Sequence, residues 1–375
     1  MALRLELCSP AHLDQVRRFN ARLRQGNVDP AFLLPENAPP QFPAEPLEAK
    51  PSVPFAKRQF LLLDQDSVRG GFLLQEQHCQ IEGETHWCAN IQMPVSEGLV
   101  DRKFSYVAPG MLQLLLRHRP LLFAVGMGSL EAPFAKFLSA MKWRVALVPF
   151  RFYVLQPARF LREIQPLHST RGRSLIANLA ARSGLGTSAI LALQRARTRS
   201  TSDLTSAPIH QWDNQTSSLW SRYRAEVSFA AVRDAASLPF FLGIADSRFS
   251  VYRLADRAGN TRGWTVLQVT SLRQSKYFGS LRVATLLDAV CESGFECAAV
   301  QAALARARDH GADLMVTNQQ HRAWLTACNR SGFWKGPSNY VLALSPELTR
   351  RISSGDPEFT RVHLSRADGD GRLNL

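Results

Sequence analysis

The chain of 375 residues has no CxxC pair, and its six cysteines, Cys8, Cys79, Cys88, Cys291, Cys297 and Cys328, lie scattered without a histidine at metal-ligand spacing. That excludes a zinc ribbon or a disulfide framework and fits reduced, mostly buried thiols, so no metal site is expected. Uninterrupted apolar runs of roughly 18 residues, the length of a membrane-spanning helix, are also missing; the longest, such as Leu121 to Met127, are strand-sized. At the N-terminus, Met1-Ala2-Leu3-Arg4-Leu5-Glu6-Leu7 alternates charged and apolar residues. It lacks the continuous hydrophobic region of a secretory signal, and a cytoplasmic location is the expectation. Lysine is scarce, because 38 of the 45 basic residues are arginine, and with 31 acids the formal charge is +14. Arginine's planar fork suits phosphates and carboxylates, so the excess predicts either an anionic ligand or surface, or simply solvated side chains. Between Ile164 and Ser202 acids are absent altogether while six arginines are present.

What is there describes a folded protein: 45% apolar, 20% charged, with a full set of aromatics. A chain this long exceeds what one core usually serves, so two domains of similar size are expected. Residues 3 to 8 read as a strand, and Ser9-Pro10 then opens a helix to residue 25 with Val16, Phe19 and Leu23 on one face. Eight of the 21 prolines fall between Gly26 and Phe55 and deny that loop regular structure. Strands follow at Arg58 to Asp64, Gly71 to Ile81 and Trp87 to Val95, the first two joined at Arg69-Gly70-Gly71. A helix after Ala108-Pro109-Gly110, a strand from Leu121 to Val125 and a helix over 131 to 141 complete the first half.

The order returns in the second half. Strands at Phe249 to Leu254, Trp264 to Thr270 and Val283 to Ala289 lead to a helix from Ala298 to His310, a strand at Leu314 to Val316, a helix over 320 to 330 and a closing strand at Tyr340 to Leu344. Phe134 and Trp143 in one half, and Trp324 and Phe333 in the other, stand nine residues apart after equivalent strands. The expected division is a domain at 1–163, a basic helical connector at 164–205, a domain at 206–350 and a disordered tail at 351–375. The connector's helical residues are Leu175, Ile176, Leu179, Ile190 and Leu193.

This order, with a helix running into Gly332-Phe333 and its counterpart at Lys142-Trp143, resembles the Gcn5-related N-acetyltransferase fold in two tandem copies. The resemblance implies an α/β architecture of two mixed, mostly antiparallel sheets flanked by helices. It also implies an N-acyltransferase that moves an acyl group from acyl-CoA, acetyl-CoA first among donors, to an amine of a small molecule or a cell-envelope precursor. Tandem members usually keep one working acyl-CoA site. The family's phosphate cradle, Arg/Gln-x-x-Gly-x-Gly/Ala after the fourth strand, is intact in neither half. Its place in the first half is Asp101 to Gly110, basic at Arg102 and Lys103 and small at its end; in the second it is Cys291 to Ala298, with two carboxylates that oppose phosphate. The donor is therefore expected in the first half, on Arg102, Lys103, Tyr106, Val107, Ala108 and Gly110.

Acyl transfer to an amine needs a proton acceptor and donors for the developing oxyanion. Glu97, at the end of the first half's fourth strand, and Asp288, at the equivalent place in the second, are the candidate bases; capping or an arginine partner is the plainer role for each. The tyrosine that the family uses to protonate the leaving thiolate falls at Leu138 and Cys328, neither a tyrosine. Tyr277, Arg282, Trp220 and Arg233 are the candidate acceptor contacts, with core packing the alternative. An anionic surface or phosphorylated carrier could meet the connector, and nucleic acid is not expected. Two other readings stay open: an aminoacyl-tRNA-dependent transferase of the peptidoglycan type, and a degenerate acyl-CoA binder or sensor.

Overall fold

The computed structural model describes residues 3–37, 54–165, 184–199, 203–242 and 248–369. Its first strands and helices are β1 (Leu3–Leu7), α1 (Leu13–Gln25), β2 (Phe55–Asp64), β3 (Ser67–Ile81), β4 (Glu84–Ser96), α2 (Val107–His118), β5 (Leu122–Met127), α3 (Pro133–Ala140) and β6 (Arg144–Leu147). Next come β7 (Phe150–Val154), α4 (Pro157–Glu163), α5 (Leu185–Arg197), β8 (Thr205–Pro208), α6 (Asn214–Tyr223), β9 (Phe229–Ala231) and α7 (Leu238–Phe241). The chain continues through β10 (Phe249–Ala255), β11 (Thr261–Ser271), β12 (Arg282–Cys291), α8 (Glu296–Asp309), β13 (Leu314–Asn318), α9 (Arg322–Arg330), β14 (Trp334–Gly336), β15 (Tyr340–Leu344) and α10 (Pro346–Ser353).

These elements form two compact units, neither a continuous stretch: Met1–Ala146 with Val341–Gly355, and Leu147–Tyr340 with Asp356–Leu375. The first sheet runs β1-β2-β3-β4-β5-β15-β6, the second β14-β7-β13-β12-β11-β10-β8. Tyr340 to Leu344, expected to close the second half, instead lies between β5 and β6. Residues 150 to 163, expected in the first domain, belong to the second. The connector is likewise part of the second unit: α5 packs with α4 there, while Leu175, Ile176 and Leu179 lie outside the described residues.

Period-two alternation sorts each strand's side chains onto two cores. In the first unit Phe60, Leu62, Phe72 and Leu74 face Val107, Met111, Leu112 and Leu115 of α2. Leu61, Leu63 and Val68 face Val16, Phe19 and Leu23 of α1. The second unit repeats this, with Leu254, Leu267 and Leu286 against Ala299, Val300, Ala303 and Leu304 of α8, and Val154, Val283, Leu314 and Val316 around Phe160 and Ile190. The paired aromatics also have a common cause. After α3, Lys142 takes φ 63° and Trp143 N–H bonds back to Leu138 O at 3.0 Å; after α9, Gly332 takes φ 87° and Phe333 N–H bonds to Cys328 O at 3.0 Å. A left-handed residue ends each helix and drives the next aromatic into the core.

Two expectations fail. Arg69-Gly70-Gly71 is not the turn between β2 and β3, which lies at Gln65 and Asp66; both glycines are inside β3, where added side chains would meet Val95 O at 2.9 Å and Phe60 O at 2.7 Å. Nor is the tail disordered from residue 351. The helix α10 runs to Ser353, and Phe359, Val362, Leu364 and Ala367 are buried together with Asp356, His363, Ser365 and Asp368. Low apolar content misled here because the segment fills a ready slot with partners for its polar groups.

Candidate active site

Each sheet holds a parallel pair at its centre, and the pairing covers only part of the strands' length. In the first unit β4 and β5 are paired at Ala89↔Leu122 and Asn90↔Phe123. Beyond them β4 carries a bulge against β3, between Gly71 and Leu73, with Met93 at φ 48°. The neighbouring strand, β5, ends in Gly126 and Met127, with Gly128 following, at φ 112°, 50° and 83°. A left-handed conformation in a non-glycine residue costs roughly 1–3 kcal/mol, and such strain gathers where function needs it. Here it marks both strands at the point of divergence, and Met93, Pro94 and Met127 are half-buried there.

The second unit closes the same space with its own chain. β12 and β13 pair from Val283↔Leu314 to Thr285↔Val316. Past that point Gln320 N–H donates to Leu364 O at 3.1 Å, and Gln319 bridges Ser365. Ser365 Oγ donates to Asp288 Oδ1 at 3.0 Å. Asp288 also accepts from Arg233 Nε at 2.8 Å and lies 3.2 Å from His363 Nε2. Arg233 Nη2 spans both oxygens of Asp368, at 3.0 and 2.9 Å. Trp324 Nε1 donates to Tyr223 Oη at 3.0 Å, so Tyr223 is left to donate to His363 Nδ1, 2.6 Å away. That order puts the histidine proton on Nε2, facing Asp288. Burial would raise the Asp288 carboxyl, but Arg233 and His363 outweigh it and hold it low. Burial raises Asp368, and burial followed by the Arg233 charge lowers His363.

This geometry corrects several expected roles. Glu97 is 4% exposed and fully engaged, with Arg22 Nε at 2.7 Å on one oxygen and Arg69 Nη1 at 2.8 Å on the other. It clamps the end of β4 to α1 and β3, with both oxygens occupied by guanidiniums. Asp288 has no exposed surface and cannot meet an acceptor. Arg233 is spent on the same network and follows β9 instead of lying on a helix, while Trp220 of α6 is buried beside Tyr223. Tyr277 is 48% exposed in the loop before β12, and Arg282 starts that strand. Six residues of strand, roughly 20 Å, separate Arg282 from Asp288, so the four expected acceptor contacts do not converge.

In the expected donor loop, Asp101 to Gly110, Arg102 is exposed, and Lys103 lies over the Phe104 ring and pairs with Asp101 at 3.3 Å. Tyr106 Oη donates to Asp64 at 2.7 Å, which raises the phenol. The Val107 side chain is buried, and Gly110 is small because Leu3 would stand 2.6 Å from any Cβ there; its N–H is taken by Tyr106 O. What the loop offers a phosphate is two cations and the first amides of α2, at Val107 and Ala108. At the family's tyrosine position, burial pushes the Cys328 thiol up to about 12, and Leu138 is apolar.

Sequence reasoning missed Tyr223, His363, Ser365 and Asp368, which lie far from Asp288 along the chain. One signal was present: Ser365-Arg366-Ala367-Asp368 has the spacing of a helix-start capping box, and it forms one.

No family model matches the chain, and no curated protein matches it. Among solved structures, a conserved protein of Enterococcus faecalis V583 described as a probable N-acyltransferase overlays with a TM-score of 0.50 at 8% identity, covering 93% of this chain and 73% of its own. A Gcn5-related N-acetyltransferase from Anabaena variabilis overlays at 0.49 and 8% identity, covering 91% and 72%. Saccharomyces cerevisiae N-myristoyltransferase with bound myristoyl-CoA overlays at 0.45 and 11%, covering 91% and 82%. At these identities the likeness is one of fold. The chain shares the fold of that probable N-acyltransferase, built here as two mixed sheets flanked by helices. No described helix is long and apolar enough to cross a membrane.

Proposed function

We propose that the chain is an N-acyltransferase that takes its acyl group from acyl-CoA at the parted β4–β5 pair of the first unit and passes it to an amine. The observation that carries this reading is the contrast at the divergence: the β4–β5 ladder ends at Asn90↔Phe123 beside the strained Met93 and Met127, whereas residues 362–368 fill the space in the second unit. Backbone amides of β4 beyond Asn90 face the developing oxyanion, and Arg102, Lys103 and the first amides of α2 take the pyrophosphate. The amine attacks the thioester carbonyl, the amide bond forms, the carbon–sulfur bond breaks, and coenzyme A leaves as the thiolate. With Glu97 and Asp288 engaged, the proton passes to water, so the rate rises with pH until the acceptor amine is neutral.

The test is thiol release with a panel of amines and acyl-CoAs of graded length, beginning with acetyl-CoA. Arg102→Ala combined with Lys103→Ala is expected to weaken acyl-CoA binding roughly tenfold, and unchanged affinity would sink the site. The engagement of both expected bases favours a second reading, a binder of acyl-CoA without turnover. Saturable binding with no thiol release under any amine would select it.

A further inference from the structure

Two adjoining cavities of the second unit lie along α9, away from the divergence of β12 and β13. One, about 460 Å³, is lined by residues that include His321, Arg322, Arg330, Arg361, Glu226 and Glu296. The other, about 910 Å³, has Arg197, Arg199, Arg330, Lys335, Asn329 and Phe333 among its walls. Thr326 and Arg330 line both, and Arg322, Thr326, Asn329 and Arg330 recur at helical spacing, so the two cavities form one groove along a face of α9. Volumes of this size suit small molecules.

The groove is cationic. Arg197, Arg199, Arg322, Arg330 and Lys335 have no carboxylate partner among the described residues. The two carboxylates stand together in the smaller cavity. Glu296 turns back to accept the Gly294 N–H at 3.0 Å, and burial raises its carboxyl toward the uncharged acid. The starts of α8 and α9 both border that cavity, with the Arg322 N–H already given to Thr360 O at 2.8 Å.

His321 points to a ligand independently of charge. It is 7% exposed, and among the described residues neither ring nitrogen has a hydrogen-bond partner of good geometry, although the Glu226 carbonyl is close enough to favour the charged form. A buried polar group left without a partner is costly, and a ligand atom would relieve that cost. We propose that this groove binds a phosphorylated small molecule, its phosphates held by Arg330 with Arg197, Arg199, Arg322 and Lys335, and a further polar atom met by His321. The site is separate from the first unit's donor site and stands whether or not that site transfers an acyl group.

Calorimetric titration of inorganic pyrophosphate into the full chain tests it, in the Arg102→Ala, Lys103→Ala background so that the first unit's loop does not compete. Saturable binding is expected, weakened roughly tenfold by Arg330→Ala and largely kept by Arg330→Lys. If Arg330→Ala melts early, Lys335→Ala at an exposed position carries the same comparison. Absence of saturable binding, or equal affinity in the alanine variants and their parent, would overturn the proposal. So would a short single-stranded RNA that binds at the same residues far more tightly than pyrophosphate with a steep salt dependence, since the groove would then be a nucleic-acid surface.

Discussion

The two units place a parallel strand pair at the centre of a mixed sheet and differ in what happens where that pair parts. In the first, the strands separate beside Met93 and Met127, and the local backbone carries strain. In the second, residues 362–368 enter, and Asp288, Arg233, His363 and Asp368 satisfy one another in full burial. One architecture thus tolerates two solutions, an early end to the ladder with a conformational cost and a filled divergence whose buried charges must all be matched. Matched buried ions add little net stability, but removing one partner is expensive.

The comparison breaks most sharply at Arg233. Arg233→Ala strands Asp288 and Asp368 and is expected to cost about 3–5 kcal/mol in urea denaturation, with exchange protection lost over β12 and 362–368 and kept over β1 to β4. Next is the glycine that ends α9: Gly332→Ala must hold φ 87° with Thr198 Oγ1 at 2.8 Å and Gln194 O at 3.0 Å from the new Cβ, a loss of roughly 1–3 kcal/mol. Acid should also separate the units. His363 faces Arg233, Asp288, Asp368 and Tyr223, His321 lies near Asp356, Arg361 and the Glu226 carbonyl, and burial lowers both imidazoles from 6.5. At these two histidines the unfolded chain therefore binds protons that the folded chain does not, while Asp368 and Glu296, raised by burial, oppose part of the effect. Stability is full above about pH 6.5 and falls below it, by about 1.4 kcal/mol per pH unit for each histidine until its folded value is reached. Exchange followed from pH 7 to 5 should lose protection in the second unit first; equal loss in both would refute this account. The smallest effect is a gain: Lys142→Gly, at the position matching Gly332, should stabilise the first unit by roughly 0.5–1 kcal/mol, read as a higher Tm.

The duplicated order was legible because each element leaves a local mark: Val16, Phe19 and Leu23 at helical spacing, a short strand-length apolar run at Phe60 to Leu63, and an aromatic after each helix end. Pairing partners leave no such mark. Tyr340 to Leu344 reads as a strand wherever it goes, and nothing within it specifies β5 and β6 as neighbours. The expected bases illustrate the same limit. Glu97 and Asp288 sit at the strand ends where the fold would place a base, yet Arg22 and Arg233 determine their state, and those arginines lie 75 and 55 residues away.

The crossed assignment of β7 and β15 bears on how the protein is made. The first sheet gains the strand between β5 and β6 only when residues 340–344 have left the ribosome, about 200 residues after β5 and β6 themselves. Until then a nascent first unit exposes an edge of β5 that is open to foreign pairing. Cutting the gene at the apparent repeat boundary would give two polypeptides, each lacking a strand that only the other can supply.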